Sequence, residues 1–309
     1  MEVGIDGNGV RADKWLTGAI SGFSRSYLQQ LIDGGAFRVG QVVVRKPSQK
    51  LHIGDVVSIE LRPTEQSQAF IPQAMDLDVV YEDADLCVIN KPAGLVVHPA
   101  AGNWTGTLLN GLLARASCFS EVPRSGIVHR LDKDTSGLMV VAKNRASMDR
   151  LVAAIAAREV SRIYLALARG PWKGTSTSCS VEAAIGRDTA NRLRMAVVDL
   201  RLQSGKPART DLTCLDQTSL AMLVQCKLHT GRTHQIRVHM AYKGWPLLSD
   251  AVYGGPAGSV IRRQALHAVR LAFNHPRTGQ WMEFFAPIPQ DFSAEMESVG
   301  LRYNGLSLP

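Results

Sequence analysis

Two hydrophobic periods alternate along the chain. Between residues 10 and 35 the apolar positions recur at helical spacing, with Leu16, Ala19 and Ile20 on one face and then Leu28, Leu31 and Ile32 in SRSYLQQLIDGG. Ser24 or Ser26 can cap the start of that second helix, and Gly34 or Gly35 can end it. The period then shortens to that of strands over 36–39, 42–44 and 56–61, with turns at Gly40-Gln41 and Gly54-Asp55. Residues 10–62 therefore predict a small unit of two helices and three strands. A polar, Gln-rich stretch, PTEQSQAFIPQA, follows and predicts a linker over 63–74.

Beyond the linker strands dominate. The stretches 78–81, 86–90, 138–142, 162–168, 209–215, 221–228 and 281–286 carry β-branched or alternating apolar residues. The clearest helix runs from 145 to 158, where Met148, Leu151, Val152 and Ile155 make a core stripe. The pattern predicts an α+β fold, with a central mixed, mostly antiparallel sheet and flanking helices over 75–295, and a tail over 296–309. Neither repeats nor low-complexity segments interrupt it.

Composition narrows the class. A chain of 309 residues favours two domains, and 45% hydrophobic with 20% charged residues is that of an ordinary folded protein. A net charge of +8 suits a polyanionic partner, although it also suits simple solubility. The five cysteines are scattered, odd in number and without paired spacing, which argues against a disulfide framework or a zinc site and for a reducing compartment. With no apolar signal core at the N-terminus and no membrane-length apolar run, the expected location is the cytoplasm.

Three stretches carry candidate chemistry. Residues 126–143, GIVHRLDKDTSGLMVVAK, place His129, Arg130, Asp132, Lys133 and Asp134 just before turn residues and an apolar strand. A carboxylate beside a core strand needs compensating cations or donors. Asp132, Asp134, Ser136 and Gly137 also mimic the opening of a calcium loop, but the twelfth position is Lys143 rather than a bidentate acid. Residues 229–244, HTGRTHQIRVHMAYKG, predict a helix capped by Thr233 and begun at His234, with Ile236 and Met240 buried and Arg232 just ahead of it. His229, His234 and His239 recur every five residues, which does not align them on one helical face, so zinc is not expected. Tyr164 lies in a strand of small apolar neighbours and by itself reads as a core tyrosine. No G-x-G-x-x-G or Walker loop calls for a nucleotide cofactor. Together, a carboxylate, an arginine able to pair with it and a hydroxyl-bearing aromatic suit covalent attack on a flat polar ring with no cofactor.

The HRLD run with its Thr/Ser-Gly turn resembles the signature of the RluA-type pseudouridine synthases. The likeness continues through VYEDADLCVINKPAGLVVHPAAGNWTGTLLNGLL, the Tyr164 strand, LHTGRTHQIRVHM, LLSDAVYGG, QALHAVRLAFNHP and FFAPIPQDF. The first unit resembles an S4-like RNA-binding module in its R-x-D-K start, its helix opening Ser-Arg, and its LI-x-x-G, K-P-S and G-D spacings. It departs at Val39-Gly40-Gln41, where the module usually has Val-Asn-Gly. The whole is most similar to the RluD branch, which acts on large-subunit (23S) ribosomal RNA. The segment between Gly254 and Gln264 is short for that branch.

The resemblance implies isomerisation of uridine to pseudouridine, with ribosomal RNA as partner, no cofactor and no metal. It implies that Asp132 is the catalytic aspartate, Arg232 the arginine paired with it, and Tyr164 the aromatic that stacks on the uracil. Arg130 would fill the gap left by a swung-out base, while His129 and Lys133 would support phosphates or the loop. Arg11, Arg25 and Lys46 would bind RNA from the first unit. Three alternatives remain open: another RluA-type branch acting on different ribosomal or transfer RNA uridines, an RNA-binding assembly factor without catalysis, and a hydrolase that would need a second carboxylate, for which Asp134 is the obvious candidate. Oligomeric state is left open, with a monomer as the expectation.

Overall fold

The computed structural model describes residues 1–20, 23–62, 68–100, 102–173, 175–191 and 194–303. The chain divides into two compact units, Met1–Ile71 and Pro72–Pro309. The boundary falls inside the expected linker, of which residues 63–67 lie outside the described residues.

The first unit holds helices α1 (Ala12–Ala19) and α2 (Arg25–Asp33) and strands β1 (Phe37–Val39), β2 (Val42–Val44) and β3 (Val57–Ile59), paired antiparallel in the order β2-β1-β3. Ser24 caps α2 by accepting from the Tyr27 amide at 3.3 Å. Leu16, Leu28, Ile32 and Phe37 close its core. The unit begins earlier than residue 10. Val3 donates to the Asp55 carbonyl at 2.9 Å and Val57 to that of Met1 at 2.7 Å, because the first residues lie along β3 and bury Val3.

The second unit is built on a nine-stranded sheet. In chain order its elements are β4 (Val79–Glu82), β5 (Leu86–Lys91), α3 (Leu108–Arg115), α4 (Cys118–Glu121), β6 (Ser136–Ala142), α5 (Arg145–Ala157), β7 (Ser161–Arg169), β8 (Ser178–Glu182), β9 (Ile185–Arg187), β10 (Met195–Val197), β11 (Gly205–Lys206), β12 (Arg209–Gln217), β13 (Ala221–Leu228), α6 (Gln235–Tyr242), β14 (Leu266–Asn274), β15 (Trp281–Phe285) and α7 (Gln290–Ser298). The strands run β4-β5-β6-β14-β7-β13-β12-β8, with β15 also on β14, while β9, β10 and β11 form a separate small sheet. Every pairing in the large sheet is antiparallel except β6 with β14, so the sheet is mixed as the pattern predicts.

Both faces of the middle of the sheet are covered, which is why β6 and β7 read as continuous apolar runs rather than alternating ones. On β7, Tyr164, Ala166 and Ala168 enter one core cluster and Ile163, Leu165 and Leu167 the other. Gly137 stands where β6 meets β14. Its φ of 113° and a site where a Cβ would lie 2.2 Å from the Ala268 carbonyl oxygen admit no side chain. The expected break at 295 and tail from 296 are corrected here. Helix α7 continues to Ser298, and Met296 and Leu301 pack into the second cluster beside Phe292; residues 304–309 lie outside the described residues.

Candidate active site

The turn from Leu131 to Thr135 delivers an acid to one wall of a cavity of about 660 Å³. The Thr135 amide donates to the Asp132 carbonyl at 3.1 Å, closing the turn just ahead of β6. Two cations hold the turn by its backbone. The Lys91 ammonium, fully buried, donates to the carbonyls of Pro92, Leu95 and Lys133 at 2.7, 2.9 and 2.9 Å. Arg263 donates to the Asp134 carbonyl at 3.1 Å and pairs with Asp291 at 2.7 Å. Burial pulls the Lys91 ammonium down to about 7, against the opposing fields of Asp134 and Asp132.

The arginine on Asp132 is Arg237, not Arg232. Arg237 Nη1 donates to Asp132 Oδ2 at 3.2 Å, while its Nε and Nη2 fork onto Asp250 at 2.7 and 2.9 Å. Arg232 instead donates through Nε to the Pro207 carbonyl at 3.1 Å and lines the cavity beside it. The reason lies in where the helix starts. Thr233 is not its cap; His234 takes that place with φ 55°, so α6 opens one residue later than expected and turns Arg237 inward. Strain at His234 is held by a bond from its Nδ1 to the Tyr253 hydroxyl at 2.9 Å, and its Nε2 stands 3.9 Å from Asp132. The Tyr253 ring lies 5.0 Å from the Arg237 guanidinium carbon.

Tyr164, on β7, lines the same cavity as Asp132. Burial first, and the nearby carboxylate after it, push its phenol up to about 12, so it stays protonated at neutral pH. Among the described residues lining this cavity Asp132 is the only carboxylate, and six arginines surround it: Arg124, Arg130, Arg158, Arg162, Arg232 and Arg237. Asp134 is not in the lining, so a hydrolase's second acid is missing from it.

The remaining expected site residues divide. Arg130 lies exposed at the cavity, and Lys133 is exposed on the turn. His129 does not offer a charge to phosphate. Its Nε2 accepts the Val140 amide at 3.0 Å and burial pushes its imidazole down to about 3, so it is a neutral brace between turn and strand. Arg11 and Arg25 converge on the buried Asp13, at 3.0 and 2.8 Å, and Lys46 is exposed.

Among the described residues, Asp83, Asp85 and His275 are close enough to hold a metal. Their atoms are already engaged. His275 Nδ1 accepts the Arg277 and Thr278 amides, its Nε2 lies 2.9 Å from Asp83, and Arg277 pairs with Asp85 at 2.6 Å. The cluster stitches the β4–β5 turn to the β14–β15 hairpin. His229, His234 and His239 face Asp211, Tyr253 and Thr210 respectively.

Sequence reasoning missed Arg237, Asp250, Lys91 and Arg162. A signal was present for the first pair. Arg237 sits three residues before Met240, on the face assigned to the core, and a buried arginine requires a buried acid; Asp250, after two leucines in LLSDAVYGG, is one.

A family model described as RNA pseudouridylate synthase matches residues 85–242, and an S4 domain model matches residues 10–57. The chain belongs to the RNA pseudouridylate synthase family and is an enzyme that isomerises uridine to pseudouridine. It is 48% identical over 307 residues to "Ribosomal large subunit pseudouridine synthase D" of Neisseria meningitidis serogroup B, covering 94% of this chain and 79% of that one. It is 43% identical over 298 residues to "Uncharacterized RNA pseudouridine synthase YlyB" of Bacillus subtilis, covering 96% and 95%. Among solved structures, "Human RNA Pseudouridylate Synthase Domain Containing 1" matches with a TM-score of 0.54 at 29% identity, over 71% of this chain and 87% of that one.

Proposed function

We propose that this enzyme acts on uridines of large-subunit ribosomal RNA, free or in an assembly intermediate, in the cytoplasm, and that Asp132 carries the chemistry. The observation behind the assignment is the meeting of Asp132 and Tyr164 in one cavity, with Arg237 bonded to the acid. Relatives named for the large subunit, at 43–48% identity over most of the chain, support the substrate. No described helix is long and apolar enough to cross a membrane, in keeping with that location.

Isomerisation breaks the bond from N1 of uracil to ribose C1′, turns the ring, and joins C5 to the same carbon; the C5 proton is then lost to solvent and N1 takes one up, so the atoms balance. Asp132 supplies the nucleophile or base, and Arg237 aims it through the bond from its Nη1 to Oδ2. Arg237 is itself fixed, because Asp250 takes the Nε and Nη2 donors along one edge of its guanidinium and leaves Nη1 for Asp132. Tyr164 offers a flat face on which the uracil can stack and a neutral hydroxyl. A base inside a helix is out of reach, so the target swings out at a cost of roughly a few kcal/mol, with Arg130 filling the gap. Arg11, Arg25 and Lys46 of the first unit meet the phosphate backbone.

The test is mapping of pseudouridine in ribosomal RNA from cells lacking the protein, restored with wild type or Asp132→Asn. Loss of specific large-subunit sites, regained only with wild type, is expected. The variant should bind RNA with near-normal affinity and turn over at least about a thousandfold more slowly, as loss of a nucleophile or base implies. Full turnover by Asp132→Asn would refute the assignment.

A further inference from the structure

One buried cation in the cavity has no acid. Arg162 is only 5% exposed, lines the cavity, and makes no side-chain hydrogen bond or ion pair with any described residue; its Nε is buried and unpartnered. His129 Nδ1, in the same lining, is unpartnered as well. Because His129 Nε2 accepts the Val140 amide, the neutral ring carries its proton on Nδ1. Both unpartnered atoms are therefore N–H donors, and neither can satisfy the other. The arrangement calls for an acceptor from outside the chain.

Its chemistry follows from charge and position. A guanidinium buried without a counter-ion is compensated by an anion far better than by a neutral carbonyl, and the only anions of RNA are its phosphodiesters. Arg162 and Tyr164 are two residues apart on β7, so their side chains leave the same face of the strand about 7 Å apart. That separates a group holding a phosphate from one stacked on the base. Room for the guanidinium is made by Gly231, where a Cβ would lie 2.8 Å from Arg162 Nη1.

We propose that Arg162, with His129 Nδ1 beside it, binds one of the two phosphodiesters that bound the target uridine and so fixes the swung-out nucleotide over Tyr164. The inference rests on the RNA substrate reading above. It is tested with an oligonucleotide spanning a mapped large-subunit site, in which the phosphodiester 5′ or 3′ of the target is replaced in turn by uncharged methylphosphonate. Wild type should lose roughly 10- to 100-fold in kcat/KM at one of the two positions, the range expected for one charge-assisted contact. Arg162→Gln should lose a similar factor on unmodified RNA and then be indifferent to that methylphosphonate, whereas Arg162→Lys should remain sensitive to it. Wild-type turnover of both modified RNAs within about twofold of the parent would overturn the proposal, and that arm does not depend on any variant folding. Full sensitivity retained by Arg162→Gln would overturn it too. Failure of wild type on the unmodified RNA would instead strike the substrate reading and bring this inference down with it.

Discussion

The two units use one arrangement with the signs exchanged. In the first, a wholly buried acid, Asp13, draws in Arg11 and Arg25, whose side chains remain 45% and 49% exposed. In the second, a buried cation, Arg237, lies between Asp250, 1% exposed, and Asp132, 15% exposed. A buried acid thus presents two cations to solvent, where a polyanion can meet them; a buried cation presents one acid to a cavity. The first arrangement suits affinity without chemistry and the second chemistry without bulk affinity. Each is held by the charge that stays inside.

The comparison breaks most sharply at Arg237. Arg237→Met leaves Asp250 buried and unpaired, which should cost about 3–5 kcal/mol of stability, and it frees Asp132, which should cost at least about a hundredfold in turnover. Urea melts and tritium release from labelled RNA measure the two effects. Adding Asp250→Leu to the same variant removes the stranded charge, and replacing a buried ion pair by apolar groups is often neutral. Stability should return in the double variant while activity stays lost. If both return together, Arg237 serves the fold and not Asp132.

How far the sequence shows these arrangements depends on what each residue announces by itself. Asp132 stands out as a candidate because the stretch around it is dense in charge, Tyr164 only through the resemblance, and β6, β7, β13 and α5 are legible because their periods are clean. Strand β14, central in the sheet, is carried only by the resemblance, and β8 to β11 show no clear period, since short or partly polar strands leave little periodic trace. Arg232 and Arg237 differ by one turn of local geometry. Choosing between them required the left-handed conformation at His234, which histidine does not advertise. Asp250 lies 118 residues beyond Asp132, and only tertiary packing brings both to one guanidinium.

In the first unit the expected effects are smaller, because the arginines' outer edges stay hydrated. Asp13→Asn should loosen Arg11 and Arg25 without removing them, so RNA affinity should fall several-fold while the slope of log K against log salt is kept. Arg11→Gln or Arg25→Gln should each lower that slope by about 0.7 to 0.9, as one lost phosphate contact does. Filter binding from low to moderate salt distinguishes the cases. A slope unchanged in both arginine variants would leave Asp13 as a purely structural acid and end the parallel with Arg237.

The smallest effect is on pH and concerns neutral groups buried beside the charged ones. His267 is fully buried with Nδ1 2.9 Å from Ser136 Oγ, and burial, followed by the field of Arg263, pushes its imidazole down to about 4 from 6.5. Between those values the unfolded chain takes up a proton that the folded one refuses, so the unfolded state binds more protons and stability rises with pH. The contribution is complete above about pH 6.5 and is lost as pH falls toward 4. His129 behaves alike down to about 3. Each histidine should add at most about 1.4 kcal/mol per pH unit to the slope of unfolding free energy in this window. Asp83 has a folded value near 2, so its own loss belongs to more acid conditions. Urea melts between pH 6 and 4.5 should therefore show a slope that His267→Gln flattens by one histidine's share. An unchanged slope in that variant would mean that His267 already carries its proton in the folded chain.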